Sequence, residues 1–252
     1  MTTAAGRRPV RVVQISDTHL SAELGAPSNW DALTRWLRAD QPDLVVHSGD
    51  IVLEDPDDAA DRAFAASLLA HLPARVAVIP GNHDIGGYGA ADDTDRPRRV
   101  RAFVETWGAD RFALDLGGWR VVGANAYLLR SDEHDEWLAS ACAFDGPVIV
   151  FVHQPLWGDP DDGWEMPPTS TAAFERAVAG AGVRVVASGH RHCFAAGERA
   201  GRRAVWAPSA RLLGDLASVL PDHPLECADP RPGVIEHVLA PDGSHDAVVR
   251  HM

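Results

Sequence analysis

Short apolar runs recur along this chain, and several of them stop on glycine, aspartate, asparagine or histidine. Val10–Ile15 closes on Ser16-Asp17, Leu44–His47 on Ser48-Gly49-Asp50, and Val76–Ile79 on Pro80-Gly81-Asn82. Unbroken runs of this length suit strands buried on both faces, as in the interior of a parallel sheet. Between them, Asp31–Ala39 carries Leu33, Trp36 and Leu37 at helical spacing, with Ser28 or Asn29 placed to cap it. Asp61–His71 is an Ala- and Leu-rich helix stopped by Pro73. Strand and helix in alternation predict an α/β fold with a largely parallel sheet and helices on its faces.

The second half continues with strands expected at Trp119–Gly123, Val148–Val152, Val183–Ala187 and Ala204–Trp206, and a helix at Phe174–Ala179. Ile235–Leu239 and Ala247–Arg250 flank Pro241-Asp242-Gly243, which predicts a hairpin within residues 230–252. Gly86–Arg99 and Pro155–Thr169 read as irregular. With no repeat and no low-complexity linker, residues 1–252 read as one domain.

Composition narrows the function classes. The longest aliphatic or aromatic stretch is the five residues Val148–Val152, against the ~20 that span a bilayer, so no membrane insertion is expected. With 23 basic and 36 acidic residues the formal charge is −13, the wrong sign for an extended nucleic-acid surface. Three cysteines (Cys142, Cys193 and Cys227) without CxxC spacing argue against a disulfide framework. Met1–Pro9 lacks a signal-peptide core, which makes a cytoplasmic location the expectation.

The chemistry sits where the strands end. Asp17-Thr18-His19, Gly49-Asp50, Gly81-Asn82-His83-Asp84, His153 and Gly189-His190-Arg191-His192 each follow an apolar run. In a parallel sheet these carboxyl ends line one crevice. Clustered imidazoles and carboxylates suit divalent metal ions. One ion can take Asp17, His19 and His192, and a second Asn82, His153 and His190, with Asp50 bridging through its two oxygens. Mixed N/O ligation fits Mn, Fe or Zn rather than calcium.

In order and combination, these five blocks resemble the calcineurin-like metallophosphoesterases, in particular their bacterial class III cyclic-nucleotide-phosphodiesterase-like branch. The resemblance spans residues 17 to 192. It implies a four-layer αββα sandwich of two mixed β-sheets flanked by helices, and it implies the same ligand assignment. It also implies a dinuclear centre with a bridging hydroxide, and an unliganded His83 that faces the substrate and protonates the leaving group. Asp84 is a candidate to orient His83. One block, His153-Gln154-Pro155, places an amide where a charged neighbour can stand.

The expected function is hydrolysis of a small phosphoester, foremost a nucleotide or glycerophospho-type diester. A phosphomonoesterase on the same site is the alternative, and a non-catalytic interaction module would predict eroded ligands. Substrate contacts are sought in the irregular segments, with Arg96 and Arg98 gripping phosphate and Trp157 and Trp164 stacking on a flat group. Arg99 and Arg101 extend that basic cluster, and Val100, Phe103, Val104 and Trp107 have the spacing of a helix that the arginines could instead cap. A homodimer is compatible with the sequence. His47 is expected in the core, and His71, His134, His223, His237, His245 and His251 at the surface.

Overall fold

The computed structural model describes residues 8–157, 164–211 and 231–252. Among the described residues, eleven strands form two sheets. The first comprises β1 (Val10–Ile15), β2 (Leu44–His47), β3 (Val76–Val78), β10 (Gly233–Leu239) and β11 (His245–His251), in the order β11-β10-β1-β2-β3. β1, β2 and β3 are parallel, and the predicted terminal hairpin adds antiparallel to β1.

The second sheet comprises β4 (Phe112–Leu116), β5 (Trp119–Gly123), β6 (Val148–Phe151), β7 (Val183–Ser188), β8 (Ala195–Arg199) and β9 (Arg202–Trp206), in the order β4-β5-β6-β7-β9-β8. Its four central strands are parallel, and its edges β4 and β8 are antiparallel.

Period-two alternation decides the layers. Val10 and Val12 of β1, Leu44 and Val46 of β2, and Ile235 and Leu239 of β10 pack against Val121, Ile149, Phe151 and Val185 of the second sheet. Residues of the opposite parity, such as Val13 and Val45, pack outward with Leu33 and Leu37 of α1 (Trp30–Asp40) and Leu69 of α2 (Ala59–Ala70). Leu138 and Cys142 of α5 (Asp132–Cys142) and Phe174 of α6 (Pro168–Ala177) likewise join Val122 and Val150. Mixed sheets face to face with helices outside are thus the architecture, and the helix-on-one-sheet arrangement that periodicity alone suggests is corrected to two sheets.

Gly86–Arg99 is irregular only as far as Gly89, and the rest of it is helical. α3 (Asn82–Ile85) is followed by α4 (Ala90–Trp107), which carries Pro97 within it. Two buried histidines also correct the expectation of surface positions. His237 follows Ile235 by two residues, so the alternation of β10 turns it inward, where its ring meets Phe151 edge-on at 5.4 Å. His134 is buried on α5, where Arg111 Nη1 donates to its Nδ1 at 3.1 Å. His223, Cys227 and residues 158–163 of the Pro155–Thr169 segment lie outside the described residues.

Candidate metal centre

The carboxyl ends of β1, β2 and β3 meet those of β6 and β7 at one edge of the sandwich. Asp17 and His19 follow β1, Asp50 follows β2, and Asn82 and His83 open α3 after β3. His153 follows β6, and His190 and His192 follow β7. Every residue expected as a metal ligand is therefore present in one volume, with contributions from both sheets.

The donor atoms form two groups that share Asp50. Asp17, His19, Asp50 and His192 offer ligand atoms within 4.8 Å of one another, as do Asp50, His153 and His190. Asp50 Oδ2 is 3.1 Å from His153 Nε2, and Asp17 Oδ1 is 3.3 Å from His192 Nε2. Asn82 Oδ1 joins the second group 3.1 Å from His153 Nε2, and the Tyr127 hydroxyl donates to that same oxygen at 3.3 Å.

Hydrogen bonds behind the rings orient them. The His153 Nδ1–H donates to Ser48 O at 2.9 Å, and the His19 Nδ1–H donates to Leu53 O at 3.1 Å. Each bond leaves the Nε2 lone pair aimed into the centre, the arrangement that metal-binding imidazoles use. His19 Nε2 faces His192 Nε2 at 3.1 Å, and His153 Nε2 faces His190 Nδ1 at 3.2 Å. Nitrogen lone pairs and carboxylate oxygens converging at these distances repel unless a cation or proton lies among them. The donor set therefore fits two divalent ions.

Electrostatics agree. Burial holds His19 well below its ordinary value, and burial with neighbouring His153 lowers His190 to about 3, so both rings stay neutral. Burial also opposes charge on His153, but Asp50 and Asp17 outweigh it and raise its pKa to about 9. The Asp50 carboxyl sits well below its usual range: burial raises it, and the imidazoles of His153 and His83 more than offset that. Positive charge is what this pocket selects.

Backbone geometry is costly here. Asp17, His19, Asp50, His190 and His192, five of the seven expected ligands, have φ between 44° and 69°, a region in which non-glycine residues are strained. Gly49, at φ +105°, is required on a second ground, since a Cβ there would meet the His153 ring.

His83 lies at the rim. Its Nε2 is 3.8 Å from Asp50 Oδ2, its ring stands edge-on to His19 at 4.8 Å, and its backbone N–H donates to Asp50 Oδ1 at 2.9 Å. Asp84 does not orient it. The Asp84 carboxylate instead accepts from the N–H groups of Gly81 (2.8 Å), Ile51 (3.1 Å) and Val52 (3.1 Å), fastening the loop after β2 to the start of α3.

Arg96 and Arg98 have other partners. Arg96 is buried and binds Asp93 and the Gly87 carbonyl. Arg98 pairs with Asp57 at 2.6 Å on the exposed face of α4. Neither lines the cavity beside the centre, whereas Trp157 does. The Trp164 ring lies 5.0 Å from that of His190.

Residues not singled out from the sequence support the centre from beneath. Ser209 Oγ donates to Asp17 O at 2.8 Å, and Arg211 Nη1 donates to His19 O at 2.6 Å. Gln14 Nε2 donates to Ser48 Oγ at 2.8 Å, and Ser48 Oγ in turn to Ser16 Oγ at 2.9 Å. The Gln14 carbonyl accepts from His237 Nε2–H at 3.0 Å. Ser16 and Ser48 stand beside the metal-site blocks in the sequence, but nothing local marks Arg211 or Ser209.

Two face-to-face mixed sheets with paired His/Asp donor groups at their strand ends define an α/β sandwich with a candidate dinuclear metal site. The chain belongs to the calcineurin-like phosphoesterase family, whose model matches residues 10–194. It is 35% identical over 167 residues to the 3',5'-cyclic adenosine monophosphate phosphodiesterase CpdA of Escherichia coli K12, covering 60% of this chain and 58% of that protein. It is 29% identical over 137 residues to the serine/threonine-protein phosphatase CPPED1 of Bos taurus, covering 48% and 42%. The chain thus spans about half the length of these curated relatives. A dimetal phosphatase from Danio rerio superposes with a TM-score of 0.65 at 15% identity, covering 97% of this chain and 96% of that one, which extends the shared fold to nearly the whole chain. Among the described residues no helix is long and apolar enough to cross a membrane.

Proposed function

We propose that this chain is a metal-dependent phosphoester hydrolase acting on small phosphodiesters. The observation that carries the reading is the pair of donor groups sharing Asp50. Asp17, His19, Asp50 and His192 would hold one divalent ion, and Asp50, Asn82, His153 and His190 the other, with Mn, Fe and Zn all suited to these donors. Bound there, two such ions supply Lewis-acid charge to phosphate oxygens and lower the pKa of water.

The chain's own groups do the rest. The backbone carbonyls of Ser48 and Leu53 keep the His153 and His19 rings aimed inward. His83, at the rim and beside Asp50, is placed to give a proton to the departing alkoxide. Trp164 stands beside His190, its ring tilted against the imidazole.

The names of the relatives support both a diesterase and a phosphatase. Local charge favours the diester. A monoester dianion calls for additional cations near the metals, yet Arg96 and Arg98 are engaged on α4 and its neighbours. Among the described residues, the cavity beside the centre carries Glu165 and Glu175 against the guanidinium of Arg199. A non-catalytic module would predict eroded ligands, whereas all seven expected residues are present and converge.

The test is kcat/KM of the Mn²⁺-loaded chain on an aryl phosphodiester and on the matching monoester. The diester is expected to be faster, and faster monoester cleavage would reverse the assignment. Asp50→Ala should empty both metal sites and abolish turnover. His83→Ala should keep the metals and lower kcat by ~10²–10⁴-fold on a substrate with a poor leaving group.

A further inference from the structure

A cavity of about 940 Å³ opens from the centre, with Asn82 and His190 at its inner end. Tyr88, Leu156, Trp157 and Met166 form apolar walls. Both rings are fixed from behind: the Tyr88 hydroxyl donates to Ala126 O at 2.7 Å, and Trp157 stands edge-on to Phe174 of α6 at 6.3 Å.

The wall carboxylates are paired within the protein, and the exposed Arg199 donates to the Glu198 carbonyl. Glu175 takes Arg202 Nη1 on both oxygens, at 2.9 and 2.8 Å, and Glu165 lies 3.9 Å from Arg191. A second phosphate would find no cationic cluster on these walls, and a cationic group would compete with arginines already in place. An uncharged flat group meets two aromatic rings and aliphatic surface. His83 is not part of this lining and sits with His19 and Asp50.

We infer that this cavity is a subsite for an uncharged aromatic ester group, and that it holds the ester that remains on phosphorus. The inference rests on the phosphodiesterase reading. In-line displacement expels the alkoxide on the side served by the proton donor, and His83 stands outside the cavity. Water oxygen bonds to phosphorus as the bond to the departing alkoxide breaks. One water proton stays with the new phosphate monoester, and the other replaces the proton that His83 gives to the alkoxide. The ester in the cavity keeps its P–O bond throughout, and Trp157 sets which group is accepted.

The experiment uses the full chain loaded with Mn²⁺ and two substrates sharing the 4-nitrophenolate leaving group, phenyl 4-nitrophenyl phosphate and methyl 4-nitrophenyl phosphate. The phenyl ester should have kcat/KM at least tenfold higher, carried in KM. Trp157→Ala should bring the ratio to within about threefold, through loss on the phenyl ester, while metal content holds. Trp157 packs on the core, so a second variant guards against misfolding. Ala172→Trp adds bulk at an exposed helix position on the cavity wall and should slow the phenyl ester alone.

Calorimetric binding of diphenyl phosphate and dimethyl phosphate separates the two layers of the argument. Equal rates on both esters, or a ratio unmoved by both variants, overturns the subsite while leaving the hydrolase reading intact. Absence of turnover with tighter, Trp157-dependent binding of diphenyl phosphate overturns the hydrolase reading and upholds the subsite. Absence of both turnover and binding preference overturns both.

Discussion

At His190 the backbone sits at φ +69°. Holding an L-residue there costs about 1–2 kcal/mol, because Cβ crowds the following carbonyl, whereas glycine carries no such penalty. Replacing His190 by Ala and by Gly removes the same imidazole and the same charge interactions, so the difference between the two variants reports the backbone. Glycine loses about 0.4–1 kcal/mol through its freer unfolded chain. The net expectation is that His190→Gly is the more stable variant by about 1 kcal/mol, or roughly 2–4 °C in Tm for a chain of this size. His153 does not share this positive φ, and there the order should reverse, with His153→Ala ahead of His153→Gly by about 0.4–1 kcal/mol. Urea unfolding of the metal-free variants measures both differences. Alanine ahead of glycine at both positions would refute the claim that the ligand backbone stores strain.

Four further outcomes follow from the geometry. His134 and His245 are held neutral by burial, each lowered to about 4, so between pH 6.5 and 4 the unfolded chain binds protons that the folded chain refuses. Stability is therefore lost on acidification through that window and is untouched by these groups above it; in metal-free urea unfolding, His134→Leu should lose less stability than the parent between pH 7 and pH 5. Gly81→Ala should destabilise by about 1–3 kcal/mol and lower metal content, because at φ −103° the backbone suits alanine but the added Cβ would overlap Asp50's carboxylate and backbone nitrogen; thermal unfolding and metal analysis test this. Asp84→Ala strands three buried N–H groups and should cost at least about 2 kcal/mol, while Arg98→Ala, at an exposed ion pair, should stay within about 1 kcal/mol and leave KM unchanged.

The convergence of the expected metal ligands was readable because they interrupt apolar runs. A glycine, an aspartate and histidines after Val-Val or Val-Ile stretches are out of place unless the strand has ended, and the end of a parallel strand is where ligands bind. The division into two sheets was not readable from periodicity, because a buried strand looks the same in either sheet; only the family resemblance carried it. β8 (AAGER) and β4 (FALDL) escaped because edge strands need bury only part of one face. α4 was hidden by Pro97 and its acidic first turns, and α5 by an acidic start that its Ser131 cap could have explained, since Ser131 Oγ accepts from His134 N–H. The arginine cluster misled because charge type says nothing of partner, and Asp57 lies some forty residues earlier in the chain.

The ligand set is divided, with Asp17, His19, Asp50 and Asn82 on the first sheet and His153, His190 and His192 on the second. Neither sheet owns a complete donor group, since each group draws on both. Full cation affinity would thus exist only after the sheets have docked, which would make the ion a latch on the last step of assembly rather than a nucleus for the first. An ion at a thousandfold excess over its Kd adds about 4 kcal/mol against any opening that parts the sheets, and nothing against fraying within one. Hydrogen exchange should then slow together at the inner ends of β1 and β6 on loading, while the distant edge β11 exchanges as before.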